Sequence, residues 1–153
     1  MTTRAQVELE LIARTGRWLT AAGLDGATTD GANESLNSPI GYAVRASGGT
    51  VASLSLVTST DVQTVAAADL DQLLDIAEYR TLSSAYQNYT KVDVEGLAGK
   101  AKLDQLRAGL LQAIALKRSQ LAADYSIGGY SAFSVQLTRT DGYSELQAEL
   151  DAA

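Results

Sequence analysis

Two long stretches with helical periodicity, separated by a short connector, constrain the fold more than any other feature of this sequence. Residues 69–89 place apolar side chains at every third or fourth position, and residues 100–125 do the same. The connector between them, TKVDVEGLAG, contains two glycines, which allow the chain to reverse its direction. The pattern therefore predicts a long antiparallel αα-hairpin, with helices about 30 and 40 Å long.

Shorter helices are predicted before the hairpin. Residues 3–22 begin with a Thr-x-x-Gln capping box, and residues 38–47 begin with a capping Ser and a Pro and are followed by two glycines. Thr60 and Gln63 repeat the capping-box spacing and predict a helical turn that leads into the hairpin. Residues 24–37 are rich in Gly, Thr, Asn and Asp, so they predict a surface loop.

Two segments alternate apolar and polar side chains. Residues 50–57, TVASLSLV, predict a short strand or an extended crossing segment, and residues 133–137 alternate in the same way near the end of the chain. We therefore expect a mainly α protein, a small helical bundle built on the hairpin with a short extended segment and an extended C-terminal arm. The expected division is a helical domain at 1–126 and a docking arm at 127–153.

The composition excludes much enzyme chemistry. The chain contains no cysteine and no histidine, which removes disulfides, thiolate nucleophiles, Cys-bearing zinc sites and the usual general base. Asp, Glu, Lys, Tyr, Ser and Thr do not occur with a catalytic spacing that the packing pattern leaves unexplained. We therefore expect neither an enzymatic activity nor a metal or other cofactor.

Charge and hydropathy bear on partners and location. Eighteen acidic residues against twelve basic ones give a net charge of -6, which argues against binding nucleic acid by neutralising its phosphates. No apolar run approaches the roughly 18 residues needed to span a bilayer, and the N-terminal residues show no signal-peptide pattern. The sequence thus predicts a chain found in a cytosol and not in a membrane.

The first long helix carries an acidic row, Asp71, Asp75 and Glu78, on one helical side. A carboxylate metal cluster is the less favoured interpretation, because di-metal bundles draw Glu from several helices and add histidine. An acidic outer face is common on an amphipathic helix. The second long helix carries basic residues that are suited to pair with the acidic row of a neighbouring subunit, although a solvated surface explains each one singly: Lys100, Lys102, Arg107, Lys117 and Arg118.

The C-terminal arm has the pattern of a docking segment. Its alternating residues lie between glycines at a chain end and have no second convincing strand nearby, so another chain is expected to supply their backbone partners. The alternative is that they pack on the chain's own core. The expected anchors in the arm are Tyr130, Phe133, Val135, Leu137 and Tyr143.

Three runs carry a family resemblance: NSPIGYAVRASGG, VTSTDVQTVAAADLDQLLDIAEYRTLSSAYQNYTKVD and KLDQLRAGLLQAIALKRSQLAADY. Together they resemble the small helical head-tail adaptor proteins of tailed bacteriophages, also called connector or head-completion proteins. The resemblance covers roughly residues 38–125, and neither the loop 24–37 nor the segment 50–57 aligns with it. These runs consist of apolar patterning and helix punctuation without a catalytic signature.

The resemblance implies a virion protein without enzymatic activity. Family members form a ring of about twelve copies under the portal protein, where they extend the DNA channel and provide a platform for the next neck or tail protein. On this reading, Asp71, Asp75 and Glu78 line the channel wall or form a ring contact. Two alternatives are another phage neck component, such as a stopper or tail terminator with more β-structure, and a non-viral cytosolic helical interaction module.

Overall fold

The computed structural model describes residues 1–89, 91 and 97–125, and this part of the chain is helical without any strand. Its helices are α1 Arg4–Ala21, α2 Asn37–Ala46, α3 Ser59–Gln63, α4 Leu70–Tyr89 and α5 Leu97–Tyr125. Short 3₁₀ turns at Glu34–Leu36 and Ala67–Asp69 precede α2 and α4. The prediction of a mainly α, small helical bundle is therefore confirmed.

The chain divides into two compact units, Met1–Ser119 and Gln120–Ala153. The division falls inside α5, and the described residues of the second unit are 120–125. The boundary predicted between 126 and 127 lies outside the described residues.

Helix α4 is the centre of the first unit, where it packs against both α1 and α2. The apolar stripe predicted from the sequence forms this core, because the buried positions recur at helical intervals on each of the three helices. The buried apolar residues of these helices include Leu11, Leu19, Ile40, Val44, Leu73, Ile76 and Leu82. Burying one such side chain contributes about 1.5–3 kcal/mol, so the core accounts for most of the favourable free energy of folding.

The start and end of α1 follow the predicted local signals. The Thr3 hydroxyl accepts from the Gln6 amide at 3.3 Å, and the Thr3 amide donates to the Gln6 side chain at 2.9 Å. Gly23 follows the helix with φ +74°, a conformation that only glycine adopts without strain. The Leu24 amide then donates to the Leu19 carbonyl at 2.9 Å, which closes the C-terminal turn.

Two other helix starts were predicted wrongly. Helix α2 begins at Asn37 and not after Ser38, because the 3₁₀ turn Glu34–Leu36 runs directly into it and no side chain caps it. Helix α3 begins at Ser59, with Thr58 and Asp61 forming the capping box that had been assigned to Thr60 and Gln63. Both cap pairs have the same spacing, so sequence alone does not separate them.

The segment 50–57 does not form the short strand that was one interpretation of its alternating pattern. The Asn37 side chain supplies backbone partners to this segment, which a neighbouring strand would otherwise provide. Its amide nitrogen donates to the Ser55 carbonyl at 2.7 Å, and its oxygen accepts from the Val57 amide at 3.3 Å. Leu54 lies against Gly41 of α2, where an added Cβ would come within 2.7 Å of the leucine side chain. The segment is therefore a packed crossing loop.

A buried ion pair inside α1 fixes the loop 24–33. Arg4 and Glu8 are one helical turn apart, with 3% and 0% of their side chains exposed, and the Arg4 Nε lies 2.9 Å from the Glu8 Oε1. Glu8 also accepts from the Gly31 amide at 2.7 Å and from the Asn33 amide at 3.1 Å. The carboxylate thus satisfies three donors, which offsets the cost of burying its charge.

Arg4 and Asn33 complete this network. The Arg4 guanidinium donates to the carbonyls of Val57 and Asn33, the latter at 2.8 Å. The Asn33 side-chain amide donates to the carbonyls of Asp25 at 3.1 Å and Thr28 at 3.0 Å. One buried charge pair therefore connects α1 to two separate loops.

The same loop makes a backbone contact with α1 at two glycines. A Cβ added to Gly16 would lie 2.7 Å from the carbonyl oxygen of Gly26, and one added to Gly26 would overlap the carbonyl of Gly16. Any larger residue at either position would separate the loop from the helix.

Candidate interaction surfaces

The three residues of the acidic row have two different environments. Asp75 and Glu78 are half-buried and in contact with cations of the same chain, whereas Asp71 is exposed on the first turn of α4. The helical spacing does place all three on one side, as predicted. Only Asp71 therefore presents an unscreened carboxylate to solvent.

Lys117 of α5 bridges Asp75 and Glu78. Its Nζ lies 2.6 Å from the Asp75 Oδ1 and 2.8 Å from the Glu78 Oε2, and 8% of the lysine side chain is exposed. Arg14 of α1 approaches the same carboxylates from the solvent side, at 3.5 Å and 3.2 Å. Two cations and two carboxylates thus form one cluster whose formal charges cancel.

This charge cluster ties three helices together. Arg14 comes from α1, the carboxylates come from α4, and Lys117 comes from α5. A second contact occurs at Gly109 of α5, where an added Cβ would lie 3.1 Å from the Trp18 ring of α1. Arg14 shares the charge cluster with Lys117, and Trp18 lies near Gly109. Because residue numbers fall along α5 as they rise along α1, these two helices are antiparallel. The cluster is suited to hold the helices in register, because its charges are partly shielded from water and salt.

The predicted basic face of α5 is not one surface. Lys117 points into the bundle, where it pairs within its own chain, while Lys100 and Lys102 are exposed. Arg107 lies 3.9 Å from Asp104, an exposed pair of little energetic value. Arg118 is half-buried.

The predicted anchors of the C-terminal arm lie outside the described residues. These are Tyr130, Phe133, Val135, Leu137 and Tyr143. Their docking role stays a prediction.

A groove between the N-terminal halves of α1 and α4 was not foreseen from the sequence. It consists of two cavities of about 410 and 480 Å³ that share Thr2, Gln6 and Leu70. Leu9, with 57% of its surface exposed, lies on the wall of the larger cavity. The available signal was Leu9 itself, because it falls two residues from both Val7 and Leu11 and therefore off the buried stripe.

The groove is apolar at its floor and acidic at its edge. Glu10 and Asp71 are exposed, and among the described residues that line either cavity none has a basic side chain. This surface, called the α1–α4 groove below, is defined by the residues that line the larger cavity: Thr2, Gln6, Val7, Leu9, Glu10, Leu70, Asp71, Leu73 and Leu74. An apolar floor with an acidic rim favours an apolar segment that carries cations.

The titratable groups that depart from their ordinary pKa have local structural causes. Hydrogen bonds from Thr58 lower the pKa of the Asp61 carboxyl, and those from Thr28 lower the pKa of Asp25. Burial raises the pKa of Tyr89, whose hydroxyl has no hydrogen-bond partner among the described residues. None of these groups lines the α1–α4 groove.

Within residues 1–89, 91 and 97–125, no three acidic side chains are placed to hold a metal ion. No helix in these ranges is both long enough and apolar enough to cross a bilayer.

The fold and surfaces define a small helical bundle whose candidate sites are interaction surfaces. No family model, curated protein or solved structure matches the chain.

Proposed function

We propose that this protein is a head-tail adaptor of a tailed bacteriophage and belongs to the neck of the virion. About twelve copies form a ring beneath the portal protein, extend the DNA channel and give the next neck or tail protein its attachment platform. The protein acts by docking and performs no chemical step.

The observation that carries this proposal is the position of the three resembling runs on the helices. The run 37–49 contains all of α2, the run 57–93 contains α3 and α4, and the run 102–125 lies in α5. The resemblance therefore follows helices of the described structure, and of these α2 and α4 pack directly against each other. A stopper or tail terminator is expected to have more β-structure, and the described part of this chain has no strand.

The charge of the chain supports passage of DNA without retention. The net charge is -6, and tight binding of DNA requires cations that replace its counterions. Asp71 is the exposed member of the acidic row and therefore the best candidate among the three for a place in the channel wall or in a ring contact. An acidic wall repels phosphates and leaves the duplex free to slide.

The test is the mass of the purified protein, alone and mixed with its candidate portal protein, by light scattering and electron microscopy. Rings, or monomers that assemble only on the portal, are the expected result. A stable monomer or dimer that ignores the portal would refute the proposal and leave a non-viral helical interaction module. An unrelated ring protein, used in place of the portal, controls for non-specific adsorption.

A further inference from the structure

The α1–α4 groove has a counterpart elsewhere on the same unit. Leu111 of α5 is 46% exposed and offers an apolar side chain to a partner. Arg107 precedes it by four residues and Arg118 follows it by seven, so all three share one helical side. This surface, called the α5 ridge below, is a leucine flanked by two arginines.

The groove and the ridge are complementary in charge and in polarity. The groove offers Leu9 with Glu10 and Asp71 at its edge, and the ridge offers Leu111 with two guanidinium groups. The competing partners inside the chain are weak: Glu10 lies 3.9 Å from Arg14, and Arg107 lies 3.9 Å from Asp104. Exposed pairs at that distance are readily exchanged for partners on another molecule.

We propose that the α5 ridge of one copy docks into the α1–α4 groove of the next copy. The contact is heterologous, because its two halves are different surfaces of the same chain. A heterologous contact repeats from copy to copy and closes into a ring when the rotation per copy allows it. The inference rests on the proposed adaptor function, for which it supplies the subunit interface.

Cysteine cross-linking provides a direct test, because the natural chain contains no cysteine. One full-length chain carries Leu9→Cys and the other carries Leu111→Cys. A short bis-maleimide is added to their mixture in the assembled form, whether free in solution or bound to the portal. A cross-linked heterodimer is expected in high yield. The matched control replaces the second chain by Leu56→Cys, another exposed leucine, and is expected to cross-link at least tenfold less.

Charge reversal tests the direction of the contact. Asp71→Arg together with Glu10→Arg disables the groove, and Leu111→Glu disables the ridge. Each variant alone is expected to associate at least tenfold more weakly than the natural chain. Their equimolar mixture retains one intact groove and one intact ridge, so it is expected to form heterodimers that grow no further. Circular dichroism checks that each variant keeps its helical content.

The outcomes separate this inference from the proposed function. If natural chains assemble but Leu9 and Leu111 do not cross-link above the Leu56 control, the interface is wrong and the adaptor function stands. Self-association of both disabled variants at natural strength would overturn it as well. If natural chains assemble neither alone nor on the portal, the adaptor function fails and the interface fails with it.

Discussion

Replacing Glu8 by glutamine is expected to destabilise the protein more than any other conservative change on α1. Glutamine has nearly the shape of glutamate but offers one acceptor oxygen and an NH₂ group. The carboxylate now accepts from Arg4 at 2.9 Å, Gly31 at 2.7 Å and Asn33 at 3.1 Å. In the variant, one of these donors faces an NH₂ group, and the Arg4 guanidinium loses its counter-charge.

The expected loss follows from the burial of the pair. Both side chains are at most 3% exposed, so water does not compensate the remaining arginine. Removing one partner of a buried ion pair costs about 3–5 kcal/mol, because a buried charge is left uncompensated. With a urea slope of about 2 kcal/mol per M, the unfolding midpoint is expected to fall by about 2 M.

Urea unfolding of the full chain, followed by circular dichroism, measures this loss. The matched control is Glu10→Gln, two residues further along the same helix. The Glu10 carboxylate is exposed, so its replacement is expected to change the free energy of unfolding by less than about 0.5 kcal/mol. Hydrogen exchange adds a local readout, since the amides of Gly31 and Asn33 should lose protection.

A double-mutant cycle with Arg4→Met isolates the charge pair. Once the guanidinium is absent, Glu8→Gln leaves no orphaned cation, so the two losses should fall short of additivity by about 1–3 kcal/mol. If Glu8→Gln costs less than about 1 kcal/mol, or no more than the Glu10→Gln control, the Glu8 carboxylate does not hold the buried network together.

Three further predictions concern local features. Lys117→Met should lower the free energy of unfolding by about 1–3 kcal/mol, because two half-buried carboxylates lose their closest cation. The control Lys102→Met should change it by less than about 0.5 kcal/mol. Equal effects of the two substitutions in urea unfolding would show that the charge cluster does not stabilise the fold. Asp61→Asn should cost about 0.5–1 kcal/mol at pH 7. The folded-state pKa of Asp61 is lowered from 3.8, so the loss of stability in Asp61→Asn should be present above pH 3.8 and vanish as the pH falls through the lowered pKa. A difference in the free energy of unfolding between the two proteins that stays constant from pH 7 to pH 2 would contradict this prediction. Gly48→Ala should cost about 1 kcal/mol in thermal unfolding, since φ is +80° there and no neighbouring atom obstructs a Cβ, and an unchanged midpoint would show that the left-handed conformation is not required.

The parts of the fold that could be predicted from the sequence are those determined by residues close together along the chain. Apolar spacing located the long helices, and the Thr3 cap was correct because both of its partners lie within one turn. The same logic failed at Thr60, where Thr58 offers an equivalent cap two residues earlier. Where two equivalent capping signals lie close together, tertiary packing decides at which of them the helix begins, and a single sequence does not display that packing.

Long-range contacts explain what was missed. Glu8 looks like an ordinary surface residue in the sequence, yet its partners Gly31 and Asn33 lie 23 and 25 residues away. The acidic row was found, but its pairing with Lys117 spans 42 residues between Asp75 and that lysine. A helical pattern shows which residues share a side and does not show which other helix covers that side.

The anchored loop 24–33 has a consequence for recognition. The loop touches α1 through Gly16 and Gly26, and its far end is held by Glu8. Its backbone is thus already restrained before any partner arrives. A molecule that recognised this loop would avoid most of the ordering entropy, roughly 1–2 kcal/mol per residue, that a flexible loop loses on binding. This loop, which has no regular secondary structure, therefore has the properties of a rigid epitope.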